Sequence, residues 1–266
     1  MDFIVDYYFD FGIIKDNFGA VLDGFWLTLK LSFFSGILSL IWGLILALLR
    51  QLPGRPLGPV RWLTIAYIDV FRGIPLLLVL FLVSGFLSAA QAEGTIPREI
   101  GLPTWFGETS PFWYGVISLT LTYGAYMAEV YRAGIEAVPS GQMAAARSLG
   151  MGHGQAMRYV IVPQAVGKVI PPLLNDFIAL MKDTSLVSVI GALEVVQAGF
   201  DVQTAEFNGS ALVLGALLFL AITIPLARLV DVLLARQQGK IERGTDGEGG
   251  GGETEQAPMP TGMAGA

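Results

Sequence analysis

The sequence encodes an all-α, polytopic membrane protein with five core transmembrane helices. Composition speaks first: the 266-residue chain is 53% hydrophobic and only 14% charged, where a typical soluble domain carries about 25% charged residues. Mean hydropathy, +0.61, agrees. The third feature is five long apolar stretches, each near the ~20 residues a bilayer demands. They cover residues 25–49, 65–87, 112–131, the run from Pro171-Pro172 to about Ile190, and 211–235. Inside hydrocarbon every backbone N–H and C=O must find an internal partner, so these stretches are expected to be helices.

The same composition excludes much chemistry. Cysteine is absent and His153 is the one histidine. Disulfide frameworks, Cys or His metal clusters, thiol catalysis and a Ser-His-Asp triad are therefore out. No G-x-x-x-x-G-K-[ST] occurs to cradle nucleotide phosphates. No cofactor, no metal and no nucleic-acid partner are expected. His153 reads as a solvated loop side chain. The net charge of −6 belongs to the two ends, with five acids in residues 1–23 and five in 242–255. The amino terminus lacks the basic region of a cleavable signal.

From the amino terminus, residues 1–24 alternate acids with aromatics and suit an amphipathic segment at the outer interface. In the first span Ser35, Ser39, Gly43 and Ala47 recur every fourth residue, a stripe that lets another helix approach closely. Pro75 and Pro225 are expected to kink spans two and five, since each removes a backbone bond. Asp69 with Arg72, and Glu129 with Arg132, form i,i+3 pairs at span ends and suit a clamp or gate. Asn175 and Asp176 are candidates to join it. Trp105, Phe106, Trp113 and Tyr114 crowd the entry to span three as an aromatic belt at headgroup level, the alternative being a docking site on loop 91–111.

The loop 132–170 predicts a short helix from Pro139-Ser140 to Gly150, with Ser140 as its cap and Gly150 left-handed at its end. A second short helix, 153–161, should stop before Pro163. Small residues make the first of these a low knob. It either seats in a groove of a soluble partner or packs on its own bundle. Residues 239–266 include nine glycines among 28 and are expected to be a disordered tail.

Ten Lys/Arg residues flank the spans on one side, in 50–62, 132–170 and 236–243, against Lys15 and Arg98 on the other. The bias puts the amino terminus outside and the carboxy terminus in the cytoplasm of a multi-pass cell-membrane protein. Charges at membrane depth mark pathways. Lys182 and Asp183 are the deepest, and adjacent residues do not face each other on a helix. A break near Asp183-Thr184-Ser185 is expected, with Thr184 and Ser185 at the start of a half-helix lining a substrate route. An internal salt bridge or gate is the alternative.

The knob segment, 136–151, resembles the EAA coupling loop of permease subunits of polar amino-acid ABC importers. The resemblance extends over residues 20–235. It includes Phe71-Arg72-Gly73-Ile74-Pro75-Leu76-Leu77, Gly124-Ala125-Tyr126-Met127-Ala128-Glu129, Val162-Pro163-Gln164-Ala165 and Lys182-Asp183-Thr184-Ser185-Leu186. It implies a type I importer transmembrane domain, non-catalytic itself, forming half of a pathway for a polar amino acid of the glutamate, glutamine or basic class. The implied partners are a second permease subunit, a cytosolic ATP-binding subunit and an extracytoplasmic solute-binding protein, besides the lipid bilayer. Gly141, Gln142, Ala145, Ala146, Leu149 and Gly150 are the implied coupling residues; Glu129, Asp69, Arg72, Lys182, Asp183, Thr184 and Ser185 are the pathway or gate candidates. The family's glutamate is replaced by Ala144, which leaves coupling to shape. Two rivals stand beside this reading: an ion-gradient-driven transporter with Lys182, Asp183 and Glu129 as relay groups, and a membrane scaffold without transport.

Overall fold

The computed structural model describes residues 2–52, 54, 56–96 and 110–248, and every regular element among them is helical. After a short α1 (Asp2–Tyr8), Asp10 starts α2 (Phe11–Arg50) by accepting hydrogen bonds from the amides of Gly12 and Ile13 at 2.8 and 3.2 Å. Forty residues at about 1.5 Å each run to about twice the apolar thickness of a bilayer. The expected interfacial segment is therefore largely the first third of the span-one helix. It is tied to residues 208–210, far along the chain. Gly209 N–H donates to Tyr7 O, the Asn208 side chain to Asp6 O, and Asp10 N–H to the Ser210 hydroxyl, all within 2.9 Å.

Pro75 does more than kink the second span. It separates α3 (Gly58–Gly73) from α4 (Leu76–Ala92) at an angle of 111°. A residue before proline is pushed out of the helical region, and Ile74 is extended at φ −92°, ψ 133°. α5 (Ser110–Glu136) follows, then α6 (Ser140–Ser148) and α7 (His153–Ala156). The expected stop before Pro163 does not occur. A π-helical turn, Met157–Ile161, leads directly into α8 (Val162–Asp183). Pro163 sits at the junction of the two helical forms, directly after Val162, whose amide bonds Met157 O. α8 also runs through Pro171 and Pro172, so the helix that carries the fourth apolar stretch starts well before them.

After α8 the chain tightens to a 3₁₀ helix, Thr184–Ile190, and turns 52° before α9 (Val195–Glu206). The corner is fixed by Glu194, which is fully buried and accepts from the amides of Val196 and Gln197 at 3.0 and 3.1 Å, with the Thr28 hydroxyl of α2 donating at 3.4 Å. α10 (Ser210–Glu248) closes the fold. Its backbone continues into the segment expected to be disordered. Extending an existing helix needs no new nucleus, and Lys240–Arg243 follows on in favourable composition; residues 249–266 lie outside the described set.

Two helical runs, Phe3–Arg50 and Ser210–Ala235, are each long and apolar enough to cross a membrane. The bent pairs α3/α4 and 153–190/α9 reach that standard together. α5 has the length of a span but a more polar composition, because other helices rather than lipid surround it. It supplies Phe112, Trp113, Val116 and Leu119 to the main core, against Leu31 of α2 and Leu180 of α8. Its Ser118 and Thr122 are buried as well. Trp113 and Tyr114 are thus core residues, 7% and 5% exposed, and not a belt; Tyr114 donates to Gln91 Oε1 at 2.9 Å. Trp105 and Phe106 lie outside the described residues.

The stripe on α2 is where α5 docks. Ser35, Ser39, Gly43 and Ala47 are all buried. A Cβ at Gly43 would stand 2.8 Å from Met127 Cβ, 2.9 Å from Gly124 O and 3.1 Å from Ala128 N. Small side chains are what allow two backbones to come this close.

Candidate functional site

The break at Pro75 leaves a hollow beside α5 and α8. A cavity of about 410 Å³ opens there, within the ~300–1,000 Å³ range of small-molecule sites. α3 brings Arg72 to its wall, α5 brings Tyr123 and Tyr126, and α8 brings Asp176, Ala179 and Asp183. On α5 and α8 the spacing of three or four places these residues on one face. The Tyr123 hydroxyl donates to Asp183 Oδ2 at 2.7 Å. The Arg72 guanidinium lies 5.6 Å from the centroid of the Tyr126 ring, in cation–π range. Asp176 Oδ2 is buried and has no hydrogen-bond partner. Three formal charges thus face one hollow, and no ion pair joins them.

Of the residues singled out in the sequence, Arg72 and Asp183 meet in this cavity. Thr184 and Ser185 do not line it. Thr184 is fully buried with its hydroxyl on Met181 O at 2.7 Å, and Ser185 donates to Lys182 O at 2.8 Å. The amide of Thr184 bonds back to Leu180 O, so the α-to-3₁₀ change exposes no free half-helix terminus. Lys182 is exposed and projects elsewhere. Asp69 is exposed and forms no ion pair with Arg72, which points instead at Tyr126.

Glu129 belongs to a second cluster. It forms an ion pair with Arg50 at the end of α2 and with Arg132 at 2.7 Å, and Arg132 reaches on to Glu136 at 2.5 Å. The arrangement ties α2 to α5. Asp176 is not part of it. Lys182, Asp183 and Glu129 therefore share no site, and the relay required by the ion-gradient reading is not assembled.

The third feature is α6. Gly141, Gln142, Ala145, Leu149 and Gly150 are exposed, Leu149 at 80%. Ala146 is 3% exposed and faces the protein's own bundle, so it is unavailable to a partner. Ser140 is the first helical residue and not the cap; Pro139 holds that position, in extended backbone, without a side-chain bond. The other end is as expected. Gly150 is left-handed at φ +85°, its amide bonds Arg147 O, and the Met151 amide bonds Ala146 O. This is a Schellman closure, which leaves the tip rigid. Gln164 of α8 donates to Gln142 Oε1 at 3.3 Å and joins the knob to the long helix.

Residues 39–239 match the family model described as binding-protein-dependent transport system inner membrane component. The chain belongs to this family. It is a membrane permease subunit, similar to the probable glutamine ABC transporter permease protein GlnM of Bacillus subtilis (36% identity, covering 84% of this chain and 96% of that one). It is also similar to the arginine transport system permease protein ArtQ of the same organism (34%, 75% and 83%). The glutamate/aspartate import permease protein GltK of Escherichia coli is 32% identical over 86% of this chain and 99% of its own. A crystal structure of an amino acid ABC transporter with histidines superposes with a TM-score of 0.73 at 32% identity, over 85% of this chain and 98% of that one. The MetNI methionine ABC transporter, at 22% identity and a TM-score of 0.61, shares the fold.

For this permease, sequence reasoning missed three things. It missed Tyr123 and Tyr126 as cavity walls, Arg50 as the second cation on Glu129, and Glu194 as a buried cap. Tyrosines inside a span need polar partners, and that was the available signal for the first pair. The other two depend on tertiary contacts that no local spacing encodes.

Proposed function

We propose that this chain forms the translocation pathway of an ATP-driven importer for a polar amino acid. The observation that carries the reading is the charged cavity between α3, α5 and α8, which has the size and polarity of an amino-acid transit site. Relatives named for glutamine, arginine and glutamate/aspartate support the substrate class. Arg72 and Asp183 act as substrate or gate groups in the cavity, and the Arg50–Glu129–Arg132 cluster acts as a clamp on the α2–α5 pair.

The partners are a cytosolic ATP-binding subunit, an extracytoplasmic solute-binding protein and a second permease, either a copy or a paralogue. The chain hydrolyses nothing itself. Work enters through α6, with Leu149 and Gly141, Gln142, Ala145 and Gly150 as the contact face; Ala144 gives that face shape without charge. The amino terminus lies outside, and α6 and the carboxy terminus lie in the cytoplasm, as the Lys/Arg bias favours.

The decisive experiment reconstitutes the chain with its genomic neighbours in lipid vesicles and follows uptake of radiolabelled amino acids. Uptake should require the ATPase, the binding protein and internal ATP. Accumulation by vesicles holding this polypeptide alone, without nucleotide, would refute the proposal.

A further inference from the structure

We infer that the cavity selects amino acids with a cationic side chain over neutral ones, and rejects anionic ones; the inference rests on the importer reading above. The argument is a charge match. The wall carries one guanidinium, Arg72, and two carboxylates, Asp176 and Asp183. A lysine- or arginine-like substrate carries the complement, one carboxylate and two cations. A glutamine-like substrate leaves one wall carboxylate without a counter-charge. A glutamate-like substrate brings a second carboxylate of its own, unmatched by Arg72, to a hollow whose wall already holds two. Placing like charges together in one site is strongly unfavourable and is an effective way to reject the wrong ligand.

The groups are free to take part. Arg72 rests on the Tyr126 ring and closes no ion pair with the described residues. Asp183 spends one oxygen on Tyr123. Asp176 Oδ2 is enclosed without a partner, and a buried polar atom in that condition is costly until something donates to it. Had the three charges served only to hold the helices together, they would be expected to close on one another as Glu129 does with Arg50 and Arg132. Lys182, the next residue along, does not line the cavity and so does not offset the carboxylates.

Arg72 is placed for the α-carboxylate, by a bidentate contact of the kind guanidinium favours. Asp183 and Asp176 lie seven residues apart on one face of α8, about two turns, or roughly 10 Å along the axis. That separation suits an α-ammonium at one end and a side-chain cation at the other.

The test uses the purified permease–ATPase complex without its binding protein, so that the selectivity measured is the cavity's. Equilibrium binding of tritiated L-arginine is competed with L-lysine, L-glutamine and L-glutamate. L-lysine should compete at least tenfold better than L-glutamine, and L-glutamate should not compete. Asp176→Asn should weaken arginine binding by about 10- to 100-fold, the range for one charge-assisted hydrogen bond, and bring glutamine level with arginine. Equal competition by glutamate, an Asp176→Asn effect within twofold, or no binding of any of the four in a complex with intact ATP-driven uptake would overturn the inference while leaving the importer reading in place. Absence of ATP-driven uptake of any amino acid would overturn both. The competition series on the unaltered complex decides the matter even if the variant fails to assemble.

Discussion

Replacing Gly43 by alanine adds one carbon at the tightest part of the α2–α5 seam. Ordinary side-chain contact begins at 3.4 Å, yet the added atom would meet Met127 Cβ at 2.8 Å, Gly124 O at 2.9 Å and Ala128 N at 3.1 Å. Two of these are backbone atoms, so no rotamer change relieves them and α5 must recede. Parting packed surfaces by about 0.5–1 Å forfeits a quarter to a half of each atom pair's dispersion attraction, and the loss is shared by Ser35, Ser39 and Ala47 along the same line. Alanine in mid-helix is worth about 1 kcal/mol over glycine, while overpacking a tight contact costs about 1–3 kcal/mol. The balance is a destabilisation of up to about 2 kcal/mol. Gly85 of α4 supplies the contrast, since nothing lies within 4 Å of its added Cβ and Gly85→Ala should stabilise by about 0.5–1 kcal/mol. Both variants would be unfolded by denaturing detergent in mixed micelles and compared with the parent. A Gly43→Ala protein as stable as Gly85→Ala would show that the seam is not close-packed.

Leu149→Asp places a charge on the 80% exposed tip of α6; co-purification with the ATPase should be lost while the permease melts at its usual temperature, and a lowered melting point would show that Leu149 serves the bundle instead. Glu129→Gln removes the acid shared by Arg50 and Arg132, whose side chains are 24% and 32% exposed. For partly shielded pairs of this kind we expect a loss of about 1–3 kcal/mol, and a double-mutant cycle with Arg50→Met should return a coupling above experimental error. Glu194→Ala uncaps α9, at about 1–2 kcal/mol, and amide exchange should accelerate first at Val196 and Gln197; unchanged exchange there would contradict the capping role.

The bundle was legible in the sequence because hydrocarbon permits little besides helices. The α2 stripe was legible because a period of four small residues has one physical use in a span. Breaks were harder to read. Pro75, Pro163, Pro171, Pro172 and Pro225 look alike in sequence, yet the structure breaks at one of them and passes through the others. What decides is whether the freed carbonyl and the preceding residue have somewhere to go, and neighbouring helices settle that. Half of the cavity was within reach, through Arg72 and Asp183. Asp176 was a candidate to join the clamp because it lies close in sequence to the start of the fourth apolar stretch; the fold turns it toward the cavity. Thr184 looked like a pathway residue because a polar pair beside a charge implies a break; its hydroxyl instead satisfies the helix it terminates.

From His153 to Ile190 the chain is helical without interruption, the π turn included. Near its start this rod is pinned to α6 by Gln142 and Gln164; farther along it carries Asp176 and Asp183. Between the knob and the carboxylates the helix continues through Pro171 and Pro172 without a break. On the importer reading proposed above, a twist that repositions α6 would also reorient the acidic face of α8, gearing the hollow's hold on its cargo and the motor's stroke to a single shaft.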